Sequence, residues 1–455
     1  MTWTVMSSPR GGDAKLERLC YHLAALSSWR LPSCVALAFG AAACAASPGE
    51  RAAERGDLAA LHLVIAAREK TGDLSDRDAA RLALAVAEHE VRTASGPEAV
   101  NRVREARSCA HELDSALSKR MLIRDAAGAE AALARIEGGG LRAEDARAFA
   151  GADDPPWRAV SARSLVRVED RDERLRALLD PDPRVRREAA RAARDARDPA
   201  DLAPLAEAAR VDPAPIVQTE AVRALAVLPA ASNGVVVDIL RDLWKSGDDG
   251  LREDIALAWT TQPLWGAGGR DALRFVVATG HGPAVVEAAA AVLRLRDADG
   301  EVSDAAVGLM ERAIESGPLA TRLQALAQAA LARPELLAAV QRAGQSDDWA
   351  VRVAALARLG ENKDARVVEE LESLARPGSP VAARARFALA FSGDRRVQEW
   401  VEQDLGADRP EVRLAAMTEL AAMGRAGRSA PLLADGDAAV RLRAACTMIA
   451  AARRR

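Results

Sequence analysis

The sequence predicts an all-α protein: an α-solenoid, or superhelix, of stacked helical hairpins with an N-terminal helical cap. Three observations carry this. One short phrase returns about every 30 residues over about ten copies, as a stacked array requires. Composition favours close-packed helices: 49% of residues are apolar but only 3% are aromatic, and Ala recurs throughout. No run shows the period-2 alternation of β-branched and aromatic residues that strands need. At 455 residues the chain is too long for one compact core and suits an extended array.

The first 43 residues read as an export signal. Arg10, Lys15, Arg18 and Arg30 precede an uncharged apolar run, residues 31–43 (LPSCVALAFGAAA). That run is too short to span a bilayer. Small residues and then a polar stretch follow, the layout of a cleaved leader. Ala41-Ala42-Ala43-Cys44 resembles the lipobox of bacterial lipoproteins. The resemblance implies that Cys44 is lipidated, that the mature chain is anchored to a membrane through its N-terminal lipid, and that it resides in the outer membrane of a Gram-negative cell, since Ala45 follows the cysteine. An ordinary signal-peptidase cut after Ala-x-Ala, and a cytoplasmic chain with no cleavage, are the alternatives.

Residues 44–56 read as a polar linker and 57–152 as a helical lead-in or cap. Ser75-Asp76-Arg77-Asp78 and Ser95-Gly96-Pro97-Glu98 look like helix starts, each opening an amphipathic stretch, 76–94 and 97–119. Gly138-Gly139-Gly140 ends a further helix, and Asp153-Asp154-Pro155-Pro156 marks the junction with the array at 153–455.

The recurring phrase is a turn with Asp or Pro, then Val-Arg, then an Ala-rich helix. Its clearest copies are Asp182-Pro183-Arg184-Val185-Arg186, Asp348-Trp349-Ala350-Val351-Arg352, Pro410-Glu411-Val412-Arg413 and Asp437-Ala438-Ala439-Val440-Arg441. Asp182 and Asp437 stand where an N-cap accepts from free backbone N–H groups. Pro183 suits the first helical turn. Val185, Ala189 and Ala192 share one helical face. A single hairpin cannot bury both its apolar faces, so stacking completes the core.

These residues resemble the HEAT repeat, in its short form shared with phycobilin-lyase-like proteins, over residues 153–455. The resemblance implies that the Val-Arg helices line the concave side and that the Arg pairs with acidic groups of neighbouring turns. Arg158, Arg186, Arg252, Arg352, Arg384, Arg413 and Arg441 fill that slot as a structural ladder, while Gln218, Val286 and Thr321 interrupt it.

Chemistry is sparsely marked. Net charge is −3 with 28% charged residues, without the basic excess of a nucleic-acid binder. No P-loop, GxSxG, HExxH or dinucleotide fingerprint occurs. His89-Glu90 and His111-Glu112 are the weak metal candidates: such pairs ligate iron in the HEAT-repeat enzyme deoxyhypusine hydroxylase, which uses four of them. The five cysteines show no metal-ligand spacing. Cys109 and Cys446, far apart in sequence, are expected to stay apart as two small buried residues. Trp244, Trp259 and Trp265 cluster where the Arg ladder lapses and are the candidate partner-binding residues. The leading expectation is a scaffold for a protein partner, without catalysis or cofactor. A cytoplasmic enzyme or regulator resembling phycobilin lyase or deoxyhypusine hydroxylase is the alternative.

Overall fold

The computed structural model describes residues 46–454, apart from 73, 230–231, 296–299, 362–364 and 380. The export-type segment and Cys44 lie outside the described residues. Among those described, all regular structure is helical.

Among the described residues six helices precede the array: α1 (Pro48–Arg55), α2 (Leu58–Thr71), α3 (Asp76–Thr93), α4 (Ala99–Glu105), α5 (Asp114–Met121) and α6 (Ala126–Glu137). The expected polar linker at 44–56 is therefore largely helix α1, capped by Ser47, whose hydroxyl accepts from Glu50 N at 3.2 Å. Ser75 caps α3 as expected, accepting from Asp78 N at 3.1 Å. Ser95 does not cap: α4 begins after Glu98 with no side-chain cap. The expected stretch 97–119 breaks into α4, a 3₁₀ turn at Ala106–Cys109, and α5. The break lets the two halves bury Val103, Cys109 and Leu117 against different neighbours.

The array then alternates outer and inner helices. The outer layer holds α7 (Ala143–Arg147), α9 (Arg171–Leu178), α11 (Leu202–Val211), α13 (Asn233–Ser246), α15 (Arg270–Thr279), α17 (Gly300–Ser316), α19 (Pro334–Ala343), α21 (Ala365–Ala375) and α23 (Gln398–Asp404). The inner, Val-Arg layer holds α8 (Pro155–Arg163), α10 (Pro183–Ala196), α12 (Pro215–Leu225), α14 (Asp249–Trp259), α16 (Pro283–Arg294), α18 (Leu319–Gln328), α20 (Trp349–Gly360), α22 (Ala382–Phe391), α24 (Pro410–Ala422) and α25 (Ala438–Arg453). Asp182, Asp248, Asp348 and Asp437 cap their helices as N-cap chemistry requires. Each Val-Arg helix packs along the next from α8 to α25, whereas in the outer layer α19, α21 and α23 barely meet one another, although α17 packs on both α15 and α19. That difference curves the array with the Val-Arg layer inside.

The curvature closes the chain into a ring rather than a rod. Helix α25 packs against α3 along its length, and α6 packs against α8, so the N-terminal unit bridges the last repeat to the first. One buried core joins Leu82, Val86 and Leu117 to Val440, Ala444 and Ile449. Cys109 and Cys446 are not kept apart: they form a disulfide (S–S 2.01 Å) across 337 residues of sequence, with both side chains buried. Arg443 pairs with Glu105 at 2.5 Å and Arg453 with Glu112. The lead-in is thus the closing segment of a ring, not a cap on a free end.

Candidate functional site on the inner wall

The ladder fixes the register in which every inner helix presents its side chains. Arg186 donates through Nε and Nη2 to Asp212 at 2.7 and 2.9 Å, and through Nη1 to the Asp180 and Pro181 carbonyls. Arg158 pairs with Asp180 in the same way, and Arg413 with Asp435. The guanidinium fork matches a carboxylate bidentately, which sets the orientation of each repeat on the next. The acceptor also caps its own turn: Asp182 N donates to Asp180 at 2.9 Å and Asp437 N to Asp435 at 2.8 Å. Arg352 reaches Glu370 (3.0 Å through Nε). Arg441, on the last repeat, finds its acid on α3: Glu90 accepts at 2.7 Å. The N-terminal unit occupies the place of a further repeat.

Two of the expected rungs differ. Arg252 reaches no acid of the next repeat; it donates to the Trp244 carbonyl at 2.9 Å and faces Asp249 of its own helix. Arg322 does the same to the Ile314 carbonyl, so the lapse expected at Thr321 is a shift by one residue. On α22 the rung is Arg386, paired with Asp404 at 2.7 Å. Arg384 is exposed and makes no hydrogen bond or ion pair among the described residues.

Counting from the rung slot, the residues two and five further on differ between two arcs of the inner layer. From α8 to α14 they are Arg163, Glu188, Arg191, Glu220, Arg223 and Asp254, with Val160 and Leu257 at the two ends. Their ion pairs run unbroken: Arg163–Asp195 (2.8 Å), Arg194–Glu220 (3.4 Å) and Arg223–Asp254 (2.9 Å). Arg191–Glu137 (2.9 Å) and Arg107–Glu130 (2.8 Å) carry the chain of charges into the N-terminal unit. From α16 to α24 the same places hold mostly small residues, Ala288, Ala291, Ala327, Ala354, Ala357, Ala388 and Ala415, with Phe391, Gln324 and Thr418 among them. There the wall opens into a groove of about 650 Å³ across α18, α20, α22 and α24. Leu323, Ala327, Val353, Ala354 and Ala357 line it beside Phe387 and Phe391. Those two rings stack at 4.3 Å and are 45% and 55% exposed. They stand where α10 carries Arg187 and Arg191.

Residues 144–226 match the family model of HEAT repeats. These residues carry HEAT repeats. Similar solved structures include Escherichia coli YibA, at 18% identity over 55% of this chain and 91% of that one, TM-score 0.34. Another is the UNC-45 chaperone, described as binding and folding muscle myosin, at 14% identity over 87% of this chain, TM-score 0.28. This chain spans 57% of the UNC-45 length. No curated protein matches the sequence.

Of the three tryptophans of the central repeats, Trp259 belongs to the core, while Trp244 and Trp265 are half-buried. Trp259 is 0% exposed, with Trp244 against it at 5.5 Å and Trp265 partly buried. A Cβ on Gly269 would stand 2.6 Å from the Trp259 carbonyl oxygen, so the Gly-rich turn serves close packing over Trp259. A partner cannot touch Trp259. The His-Glu pairs are also committed elsewhere. His89 Nδ1 lies 3.0 Å from the Glu54 carbonyl beneath Gly56, Glu90 and Glu112 pair with Arg441 and Arg453, and His111 is exposed. Among the described residues no three His, Cys, Asp or Glu side chains gather as a metal site.

One titratable group sits in the groove floor. Glu419 of α24 is buried, and burial pushes its carboxyl up to about 7, against the pull of Arg386. Raised above the ordinary 4.5, the group favours the folded state fully below pH 4.5, and that contribution is lost as pH rises through about 7. Glu419→Gln is expected to gain on wild type by up to about 3 kcal/mol between pH 5 and 8. Thermal melts across that range read it; parallel curves for the two proteins would contradict the assignment.

Proposed function

We propose that this chain is an exported, non-catalytic, ring-shaped binding protein. It holds an apolar segment of a partner protein against the α18–α24 arc of its inner wall. The observation that carries this reading is the exposed Phe387–Phe391 stack in an apolar groove, at the places that hold Arg187 and Arg191 in α10. Solvent-exposed aromatics over an apolar floor are what a docking anchor needs. The export reading draws support from the buried Cys109–Cys446 bridge, since such bonds persist in oxidising compartments. Anchoring through a lipid on Cys44 completes the proposal, and the disulfide-bonded ring then works outside the cytoplasm.

Photo-crosslinking tests the binding surface. A benzophenone amino acid replacing Phe387 is expected to give discrete adducts with one partner. The same group at Phe275, 67% exposed on the outer helix α15, is expected to give none. Identical adduct patterns at both positions would refute the groove as the binding surface. Radiolabelled palmitate should enter wild type but not Cys44→Ala; a full-length, unprocessed cytoplasmic product would refute the anchoring.

A further inference from the structure

We propose that the segment held in the groove is an acidic amphipathic helix whose carboxylate pairs with Arg384. This rests on the reading of the groove as a protein-docking surface, and names what docks there.

The inference starts from a displaced rung. On α22, Arg386 takes the ladder position and Asp404, leaving Arg384 exposed at the groove. The other Val-Arg arginines all have partners: an acid for Arg158, Arg186, Arg352, Arg413 and Arg441, and a carbonyl for Arg252. Arg384 alone among these slot residues has none among the described residues. The groove's remaining charges do not balance it. Arg358 is engaged by Glu361 and the Ala329 carbonyl. Glu419 lies buried in the floor. Below about pH 7, where burial keeps the Glu419 carboxyl protonated, the groove presents one uncompensated positive charge beside an apolar surface, and its complement is a carboxylate beside an apolar surface.

Spacing narrows the occupant further. Arg384, Phe387 and Phe391 fall at i, i+3 and i+7, one stripe along α22. The stripe is roughly 10 Å long, about two helical turns. A partner helix laid along it presents an acidic residue at one end and apolar residues one and two turns away. Helix-in-groove recognition uses that pattern of anchors. The neighbouring small residues Ala354, Ala357 and Ala415 let such a helix approach closely.

The test uses the full chain and two fluorescein-labelled peptides of three helical turns. Both carry the same Leu stripe; one has Glu and the other Gln at the position facing Arg384. In anisotropy titrations the Glu peptide is expected to bind wild type roughly tenfold tighter than the Gln peptide. Arg384→Glu should abolish that preference while keeping Gln-peptide binding. Phe387→Ser with Phe391→Ser should lose both. Equal binding of the two peptides by wild type would overturn the acidic recognition and leave apolar docking standing. Failure of the Glu peptide to bind, with dodecanoate taken up instead, would overturn both, since the occupant would then be a lipid.

Discussion

Glu90→Ala is expected to destabilise the folded chain by roughly 3–5 kcal/mol, because it leaves a buried guanidinium without its counter-charge. Glu90 and Arg441 are 5% and 10% exposed at the side chain and meet at 2.6 Å. Arg441 would keep its two carbonyl acceptors, Asp435 and Gly436, but not an acid. The joint offers an internal control. Arg443–Glu105 ties the same last helix, α25, to α4 of the N-terminal unit, yet its partners are 48% and 29% exposed. Glu105→Ala should therefore cost no more than about 1 kcal/mol. Denaturant unfolding of both variants, with the disulfide intact, reads the contrast. Equal small losses would show that α3 does not complete the last repeat's ladder.

Trp259→Ala is expected to cost about 3–5 kcal/mol, since it empties the largest fully buried side chain of the central repeats. Its Nε1 has no acceptor among the described residues. Trp259→Phe should therefore lose much less: it gives up volume but also removes a buried, unpaired N–H. Neither change should alter crosslinking at Phe387. A binding defect in a well-folded Trp259 variant would return the central tryptophans to the partner surface.

What the sequence made legible was whatever repeats locally. The Val-Arg phrase marks the inner helices because Asp caps, an early Pro and small residues act within a few positions of each other. The rungs at Arg158, Arg186 and Arg413 follow the same phrase, with an acceptor one turn ahead in the next repeat. Closure was not legible. The acid for Arg441 lies 351 residues away and the sulfur for Cys446 lies 337 away, on helices that do not carry the phrase. No local pattern encodes that distance. Arg384 and Arg386 sit two residues apart, and the phrase selects the wrong one; only Asp404 distinguishes them. Trp259 departs from the expected binding surface because, among alanines, a large side chain fills the core first. The Phe387–Phe391 pair did carry a signal. Two phenylalanines at i, i+4 on an Ala-rich helix occupy places that are charged in α10.

Ring closure is the claim from which the inner wall, its two arcs and the groove all follow. Small-angle X-ray scattering of the monomer tests it most directly. Inner helices about 10 Å apart around a closed wall, with one further layer outside, give an outer diameter of roughly 70 Å. A closed ring gives a pair-distance distribution that ends near that value and shows a depleted centre. A distribution extending beyond about 100 Å, as an open stack of ten repeats would give, would contradict it.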